Sequence, residues 1–141
     1  MVLEIRPIRP DEFPRYIRTV EAAFHESLSD QDVDDERAVA EHDRQFGAFD
    51  DGALVGGSTV ATLEMSLPGR RSARAAGIIG VGVLPSHRRR GINTALMRAQ
   101  LDDIHGRGES LAILHASEAG IYRGFGFGQA TTLAQLSIET T

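Results

Sequence analysis

Apolar and polar residues follow strand-like and helix-like spacings along most of the chain. Residues 3–9 alternate apolar and charged side chains, a pattern typical of a half-buried strand. Asp11 can cap a helix whose apolar positions recur at helical intervals. The acidic residues 27–36 favour a loop, and residues 36–44 favour a second helix. The first part of the chain is therefore predicted to run strand, helix, helix.

Three strands separated by turn signals are predicted next. They cover residues 46–49, 54–66 and 75–83, and the D-D-G string at residues 50–52 marks a hairpin between the first two. The Gly-Gly pair at residues 56–57 is typical of a bulge, and a Pro-Gly pair makes the next turn. The pattern predicts an antiparallel meander.

The residues after the meander are predicted to form a helix, a strand, a short helix and a final strand. The helix that begins after Gly91 carries apolar residues on two sides, as expected of a helix packed between layers. Residues 111–114, L-A-I-L, are predicted to form a buried strand parallel to its predecessor. A short helix contains Tyr122, and residues 131–139 alternate as a last strand. The order β-α-α-β-β-β-α-β-α-β predicts one domain, residues 1–141, of the α+β class with a three-layer α/β sandwich.

Composition excludes several classes of protein. The 141 residues include no cysteine, which removes disulfides and thiolate metal sites, and the five histidines show no metal-ligand spacing. No apolar run reaches about 18 residues, so no membrane span is expected. The first residues show no signal-peptide pattern. A cytoplasmic enzyme or binding domain is the expectation.

Charge is distributed unevenly along the chain. The net charge of −5 argues against general nucleic-acid binding. Residues 1–66 contain fifteen acidic residues and six arginines, whereas residues 67–141 contain five acidic residues and nine arginines. The second half could therefore hold an anionic cofactor, while the first half attracts a cation. The chain has no lysine and no G-x-x-x-x-G-K-S/T string, so a P-loop nucleotide site is disfavoured.

Residues 81–93, V-G-V-L-P-S-H-R-R-R-G-I-N, carry the clearest chemistry. A β-branched strand ends at a proline, and a turn with three arginines leads through Gly91 into a helix. A helix N-terminus presents unpaired N–H groups and a positive dipole end, so it attracts anions. Glycine lets a phosphate approach the backbone, and arginine offers forked donors to its oxygens. The string predicts a phosphate-binding turn; a solvated basic turn is the alternative.

This turn and the order of elements resemble the GNAT superfamily of acyl-CoA-dependent N-acetyltransferases. Its cofactor motif, Arg/Gln-x-x-Gly-x-Gly/Ala, is represented by residues 88–93, with Asn93 in place of the small last residue. Three stretches, V-G-V-L-P-S-H-R-R-R-G, A-S-E-A-G-I-Y and F-G-F-G, are most similar to the N-terminal domain of the Eis acetyltransferases. The resemblance implies a mixed central sheet of six or seven strands flanked by about four helices. Eis proteins are longer, so a single-domain relative or a fragment is expected.

The resemblance also implies how the acyl donor, acetyl-CoA, is held. The fourth and fifth strands separate, and the backbones of Val81 and Val83 pair with the pantetheine arm. The Val83 N–H then faces the thioester carbonyl, where it would stabilise developing negative charge. Arg88 and Arg89 are the best candidates for side-chain contacts with phosphate. The pyrophosphate is held mostly by N–H groups of the turn, whose cofactor-binding residues are Arg88, Arg89, Arg90, Gly91, Ile92 and Asn93.

Tyr122 is the implied general acid, which protonates the departing CoA thiolate. A tyrosine hydroxyl suits this role because it is protonated at neutral pH and can hydrogen-bond sulfur. Ser117 starts the same short helix and could be an N-cap, a cofactor contact, or both. His87 is interpreted as structural. Phe24 lies on an apolar helix face, and a core role is favoured over a place in the acceptor pocket.

The general base stays unassigned. In Eis proteins this role is linked to the carboxylate at the end of the longer chain. This sequence ends at Thr141, so the resemblance does not carry that group over. Substitutes are His25, Glu26, Glu64 or a chain of water molecules. For each of these side chains, an exposed or structural role is favoured over a catalytic one.

Three functions are compatible with this sequence. The leading one is acetyl-CoA-dependent N-acetyl transfer to a primary amine of a small molecule or peptide. The second is a non-catalytic CoA-binding module, or a fragment of a longer Eis-like enzyme. The third, a nucleic-acid or protein-interaction domain that uses the arginine turn, is disfavoured by the acidic net charge. No membrane partner is expected, and an exposed last strand could pair with a second copy of the chain.

Overall fold

Five strands form one mixed sheet in the computed structural model, which describes residues 2–138. Their spatial order is β1-β2-β3-β4-β5, so neighbours in the sheet are also consecutive along the chain. The first four strands are antiparallel, and β5 runs parallel to β4. The strands are β1 Leu3–Pro7, β2 Gln45–Asp50, β3 Ala53–Leu67, β4 Arg71–Val83 and β5 Ala112–Leu114.

The described residues also form four α-helices. None of these helices is long and apolar enough to cross a lipid bilayer. Single 3-10 turns precede α1, β2 and α3, at Pro10–Glu12, His42–Arg44 and Pro85–His87. The helices are α1 Phe13–Ala23, α2 Asp30–Val39, α3 Ile92–Gly106 and α4 Ala119–Arg123.

The two faces of the sheet are covered by α1 and α3. On the α1 side the contact is close, because a Cβ added to Gly57 of β3 would lie 2.4 Å from the Tyr16 ring. On the α3 side, Leu96 belongs to one apolar cluster with Val55, and Met97 belongs to another with Val60. Burial of each such side chain contributes about 1.5–3 kcal/mol. The residues of α1 that repeat at helical spacing are all buried: Phe13, Tyr16, Ile17, Val20 and Ala23.

The position of α2 differs from the sequence prediction. The acidic pattern predicts a loop over residues 27–36 and a helix over residues 36–44, but the helix spans Asp30–Val39. Ser29 caps it: its hydroxyl accepts the Asp32 N–H at 3.2 Å, and the Asp32 carboxylate accepts the Ser29 N–H at 2.8 Å. Only one residue of the helix is buried, so the sequence carries little apolar periodicity there. The capping pair determines where this helix begins.

The predicted final strand is wrong over residues 131–138, which form no strand; Glu139 lies outside the described residues. The side chains here are exposed, with Leu136 at 87 % and Ile138 at 84 %. A strand is stabilised by hydrogen bonds to a neighbour and by one buried face, and this segment has neither among residues 2–138. The described sheet therefore has five strands instead of the six or seven that the resemblance implies.

Candidate active site

β4 and β5 separate after a short stretch of parallel pairing. They are in register over three residues, the last pair being Ile78 and Leu114. In the part of the chain that the structure describes, residues 79–83 of β4 have no strand on this side. We call the resulting gap the cleft. Its first wall is residues 79–94, the end of β4 with the turn into α3, and its second wall is residues 115–123, which include α4.

A bulge in β4 begins where its pairing with β5 ends. Ser58 of β3 lies opposite two residues of β4, Gly80 and Val81. Gly80 has a φ of 60°, a conformation that glycine adopts at little cost. A bulge bends its strand and increases the twist, so the end of β4 turns away from the line of β5. The bulge predicted at residues 56–57 lies one residue earlier, at Val55.

The backbone of Val83 faces the cleft. The N–H of Leu84 donates to the carbonyl oxygen of Val55 at 2.9 Å. Since the N–H groups of consecutive strand residues point to opposite edges, the Val83 N–H is directed away from β3. The Val83 side chain packs against the apolar cluster under α3. The side chain therefore anchors the strand while the N–H remains available to a ligand.

The turn between β4 and α3 presents a row of backbone donors. Gly91 is the N-cap of α3 with a φ of 77°, and no side chain caps this helix. Within the described residues, none of the N–H groups of residues 89–94 has a hydrogen-bond acceptor. A cavity of about 230 Å³ lies beside them, and its lining includes Val83 and every predicted residue of the turn except Arg90. This arrangement suits an anionic ligand.

The three adjacent arginines differ in their contacts. Arg88 Nη2 donates to the carbonyl oxygen of Ala23, at the end of α1, at 3.0 Å. Arg90 Nη1 lies 3.4 Å from Asp50 Oδ2, at the end of β2. Arg89 has a φ of 61° and forms no ion pair or hydrogen bond with residues 2–138 through its side chain. Arg89 is therefore the arginine best placed to meet a ligand, and the phosphate contacts of all three side chains stay predictions.

Asp50 supports the turn from the end of β2, which β3 separates from β4 in the sheet. Its Oδ2 lies 3.6 Å from His87 Nε2, and the Nδ1 of the same ring lies 2.8 Å from Ser86 Oγ. These contacts agree with the structural interpretation of His87. Sequence reasoning assigned Asp50 only to a hairpin turn, because the fold alone brings it beside the arginines.

Tyr122 lies on the second wall. Its ring meets Phe127 edge-on, with ring centroids 6.2 Å apart, and it packs on the apolar cluster that Val81 contacts from the first wall. The hydroxyl has no hydrogen-bond partner among the described residues. Burial, and to a smaller extent the charge of Glu118, raises the pKa of Tyr122 above the ordinary value of 10. The hydroxyl is therefore protonated at neutral pH and can donate a proton.

Ser117 does not cap α4, which excludes one of its two predicted roles. The N-cap residue is Glu118, and no side chain makes a capping hydrogen bond. Ser117 is exposed on the second wall. Its contact with a cofactor stays a prediction.

The candidate bases lie at the end of α1 or away from the cleft. Phe24 is 47 % exposed and its ring covers Gly82, where an added Cβ would lie 3.2 Å from it, so the predicted core role is wrong. His25 and Glu26 follow it and are exposed. Glu64 belongs to the outer part of β3, beyond the residues that pair with β2. Only the residues after α1 are therefore near the first wall.

Glu21, in the last turn of α1, is an acidic residue that the sequence pattern did not single out. Burial, together with repulsion from Glu26 and Glu36, raises the pKa of Glu21 above its ordinary value. A carboxylate whose pKa moves toward the working pH is a better general base. Glu21 thus joins the open candidates; it lies two residues before Ala23, whose carbonyl oxygen accepts from Arg88.

Comparison with known proteins identifies the family. The family described as acetyltransferase (GNAT) domain matches residues 4–130. An uncharacterised N-acetyltransferase of Streptomyces avermitilis is 38 % identical over an aligned length of 143 residues, and the match covers 100 % of this chain and 35 % of that protein. N-acetyltransferase Eis of Mycobacterium tuberculosis is 34 % identical over an aligned length of 137 residues, and the match covers 92 % of this chain and 33 % of Eis.

A solved structure agrees with these relatives. The crystal structure of Eis1 from Mycobacterium abscessus matches with a TM-score of 0.80 and 42 % sequence identity, over 92 % of this chain and 32 % of Eis1. The chain spans about a third of the length of the Streptomyces protein, of Eis and of Eis1. On the family match and these identities, the chain belongs to the GNAT family of acetyltransferases.

Proposed function

We propose that this domain is an acetyl-CoA-dependent N-acetyltransferase that acts on a primary amine. The observation that carries the proposal is the cleft, which has a free strand edge and a row of N–H groups on one wall and the Tyr122 hydroxyl on the other. GNAT acetyltransferases use acetyl-CoA, whose thioester supplies an activated acetyl group.

The first wall suits acetyl-CoA in shape and charge. The backbones of Val81 and Val83 have no β5 partner, so they can pair with the amides of an extended pantetheine arm. The N–H groups of residues 89–93 and the cavity of about 230 Å³ can receive a pyrophosphate, supported by the dipole of α3. Arg89 can add side-chain charge, and Ser117 can approach the ligand from the second wall.

In this proposal the chain stabilises charge and moves a proton. The Val83 N–H donates to the acetyl oxygen as negative charge develops there. The amine nitrogen bonds to the acetyl carbon, the carbon–sulfur bond breaks, and Tyr122 gives its proton to the sulfur. A cationic amine loses one proton to water before it attacks, and afterwards the nitrogen loses a second proton, either to water or to a carboxylate such as Glu21 or Glu26. Tyr122 regains its proton from solvent, and the products are an amide and a thiol.

A cationic amine is the acceptor that the charge distribution favours. Residues 1–66 carry fifteen acidic residues against six arginines, and this half contains the end of α1 beside the first wall. Clustered negative charge raises the local concentration of a cation. Primary amines of small molecules and of peptides both satisfy this requirement.

Release of free thiol from acetyl-CoA, measured with a panel of primary amines, tests the proposal. We expect turnover with at least one amine, and a fall in kcat of about 100-fold or more in Tyr122→Phe at unchanged KM for acetyl-CoA. Arg123→Gln, exposed on the same helix, is the matched control and should behave as wild type. Binding of acetyl-CoA without turnover of any amine would contradict catalysis.

A non-catalytic CoA-binding module is the second candidate, and one observation favours it. The side chains of Leu133, Leu136 and Ile138 are 72 %, 87 % and 84 % exposed. Exposed apolar groups of this kind are typical of a surface that another segment or a second copy covers. If so, the isolated chain binds acetyl-CoA without turnover, and adding the following segment of an Eis-type relative in trans restores activity.

A further inference from the structure

A buried ion pair joins two segments that are 65 positions apart. Arg44, in the turn before β2, and Glu109, in the loop between α3 and β5, form a bidentate pair. Arg44 Nη1 lies 3.0 Å from Glu109 Oε1, and Nη2 contacts Oε2. The two side chains are only 2 % and 5 % exposed. None of the candidate site residues takes part in this pair.

The pair lies at the closed end of the cleft. Arg44 Nη1 also donates to Thr62 Oγ1 at 2.8 Å, and Thr62 is the register partner of Ala76 in β4. Ala76 in turn pairs with Ala112, the first residue of β5, and its N–H donates to the Leu111 oxygen at 2.8 Å. The ion pair therefore fixes the chain immediately before β5.

Glu41 completes this network. Its two carboxylate oxygens accept the N–H and the hydroxyl of Thr62, both at 2.6 Å. Burial alone would raise the pKa of Glu41, but these hydrogen bonds and the charge of Arg44 lower it overall. Glu41 is therefore ionised at neutral pH, and it holds Thr62 in the orientation that accepts from Arg44.

Stability alone explains such a pair poorly. Removing two charges from water costs about as much free energy as their attraction returns, so apolar residues of similar size often serve as well. Apolar contacts do not supply direction, whereas a bidentate pair fixes both the distance and the angle between two segments. β5 needs such a constraint, because it pairs with β4 over only three residues and leads directly to α4.

We propose that Arg44 and Glu109 are positioning residues that set where β5 begins and thereby hold Tyr122 at a fixed distance from the first wall. The kinetic consequence rests on the proposed acetyltransferase function, whereas the structural consequence does not. The first wall belongs to β4 and to the N-terminal end of α3, and the Glu109 side chain forms no hydrogen bond or ion pair with either among the described residues. The pair is therefore expected to affect proton transfer by Tyr122 and not cofactor affinity.

The double variant Arg44→Met/Glu109→Leu separates positioning from stability, since it removes both fully buried charges together and leaves Glu41 its two hydrogen bonds from Thr62. We expect a folded protein whose kcat falls about 10-fold or more, because small displacements of a reacting group are costly. The KM for acetyl-CoA should change by less than about twofold. A folded variant with wild-type kcat overturns the proposal. So does a KM that rises as much as kcat falls, because both walls have then moved.

Tyrosine absorbance gives a readout that needs no turnover. The chain has two tyrosines, and burial raises the pKa of Tyr16 beyond the usual titration range. The tyrosinate that forms first as the pH rises therefore belongs to Tyr122, and Tyr122→Phe should remove it. In the double variant, a displaced and more exposed Tyr122 should titrate closer to its ordinary pKa of 10. An unchanged titration overturns the proposal even if the wild type has no activity.

Asp43→Asn is the matched control. Asp43 forms an exposed ion pair with Arg107 at 2.9 Å, which links the same turn to the end of α3. Exposed pairs contribute little, so kcat and the titration should not change.

If the double variant does not fold, Glu109→Asp is used as the test instead, because it keeps both charges but shortens one side chain. It should lower kcat about 10-fold; an unchanged kcat overturns the proposal.

Discussion

The two walls of the cleft are anchored to very different extents. β4 is in register with β3 over eleven pairs, and apolar clusters pack on this part of the sheet from both α1 and α3. β5 is in register with β4 over three pairs, and none of the five residues of α4 is buried. The first wall is therefore a rigid surface, whereas the second is a lightly held element that carries Tyr122.

This difference matches the tasks proposed for each wall. A long anionic ligand needs many donors held in place at once, and a strand with a helix N-terminus supplies them from one rigid unit. A single hydroxyl needs less support, but its distance from the reacting atoms must be set by contacts elsewhere. Binding and chemistry should therefore respond to different substitutions.

Glycine substitutions should give the largest contrast between the walls. A Cβ at Gly57, beneath the first wall, would lie 2.4 Å from the Tyr16 ring, whereas a Cβ at Gly120 in α4 would meet no atom within 4 Å. We expect Gly57→Ala to lower the free energy of unfolding by about 3 kcal/mol. Gly120→Ala should leave it unchanged or raise it by up to about 1 kcal/mol. Urea unfolding measures both, and equal losses would contradict the contrast.

Gly91→Ala should weaken binding without slowing the chemistry. Gly91 has a φ of 77°, which costs an alanine about 1–2 kcal/mol, and a Cβ there would meet no neighbour. We expect the KM for acetyl-CoA to rise about 10-fold at unchanged kcat. Gly106→Ala, at the other end of α3, is the control. A lower kcat at unchanged KM would place the turn in the chemical step instead.

Arg89→Ala should weaken the binding of CoA, whereas Arg88→Ala should lower the stability of the fold. Arg89→Ala should raise the Kd for CoA about fivefold and leave the free energy of unfolding unchanged, because its side chain has no partner in residues 2–138. Arg88→Ala should lower the free energy of unfolding by about 1 kcal/mol, because it removes the bond to the Ala23 carbonyl. Calorimetry with CoA and urea unfolding check both, and the reverse pattern would show that Arg88 is the ligand contact.

The smallest expected effect is a loss of stability in acid. It arises at the start of α1, the helix that covers one face of the sheet. Hydrogen bonds from Arg6 at 2.8 Å, which join β1 to the turn before α1, lower the pKa of Glu12 from 4.5 to about 2. A lowered folded-state pKa stabilises the protein above about pH 4.5, and this contribution disappears as the pH falls toward 2. At about pH 6, the free energy of unfolding of the wild type should exceed that of Glu12→Gln by about 1 kcal/mol. Urea unfolding should show the difference vanishing in acid; a constant difference would contradict the assignment.

More of the first wall than of the second could be predicted from the sequence. The strand, the arginine turn and the start of α3 are adjacent along residues 81–93, so local rules were sufficient to predict them. The start of α2 was missed because Ser29 and Asp32 mark it by capping and not by apolar spacing. Phe24 was misplaced because helical spacing does not show where a core ends.

Contacts between distant residues could not be predicted. Arg44 and Glu109 are 65 positions apart, and neither belongs to a pattern. The alternation in residues 131–138 shows which face a strand would bury, but it does not show whether a neighbouring strand exists. Whether Arg88 or Arg89 is free to bind depends on the end of α1, which the arginine string does not reveal.

One unpaired residue in β4 has a consequence for the whole site. If the chain lacked Gly80, Ser58 would face a single partner and β4 could run straight beside β5 beyond Leu114. The Val83 N–H would then bond to the next strand and be lost to a ligand. The ability of this sheet to accept an extended molecule as an additional strand thus follows from a mismatch in length between two neighbouring segments.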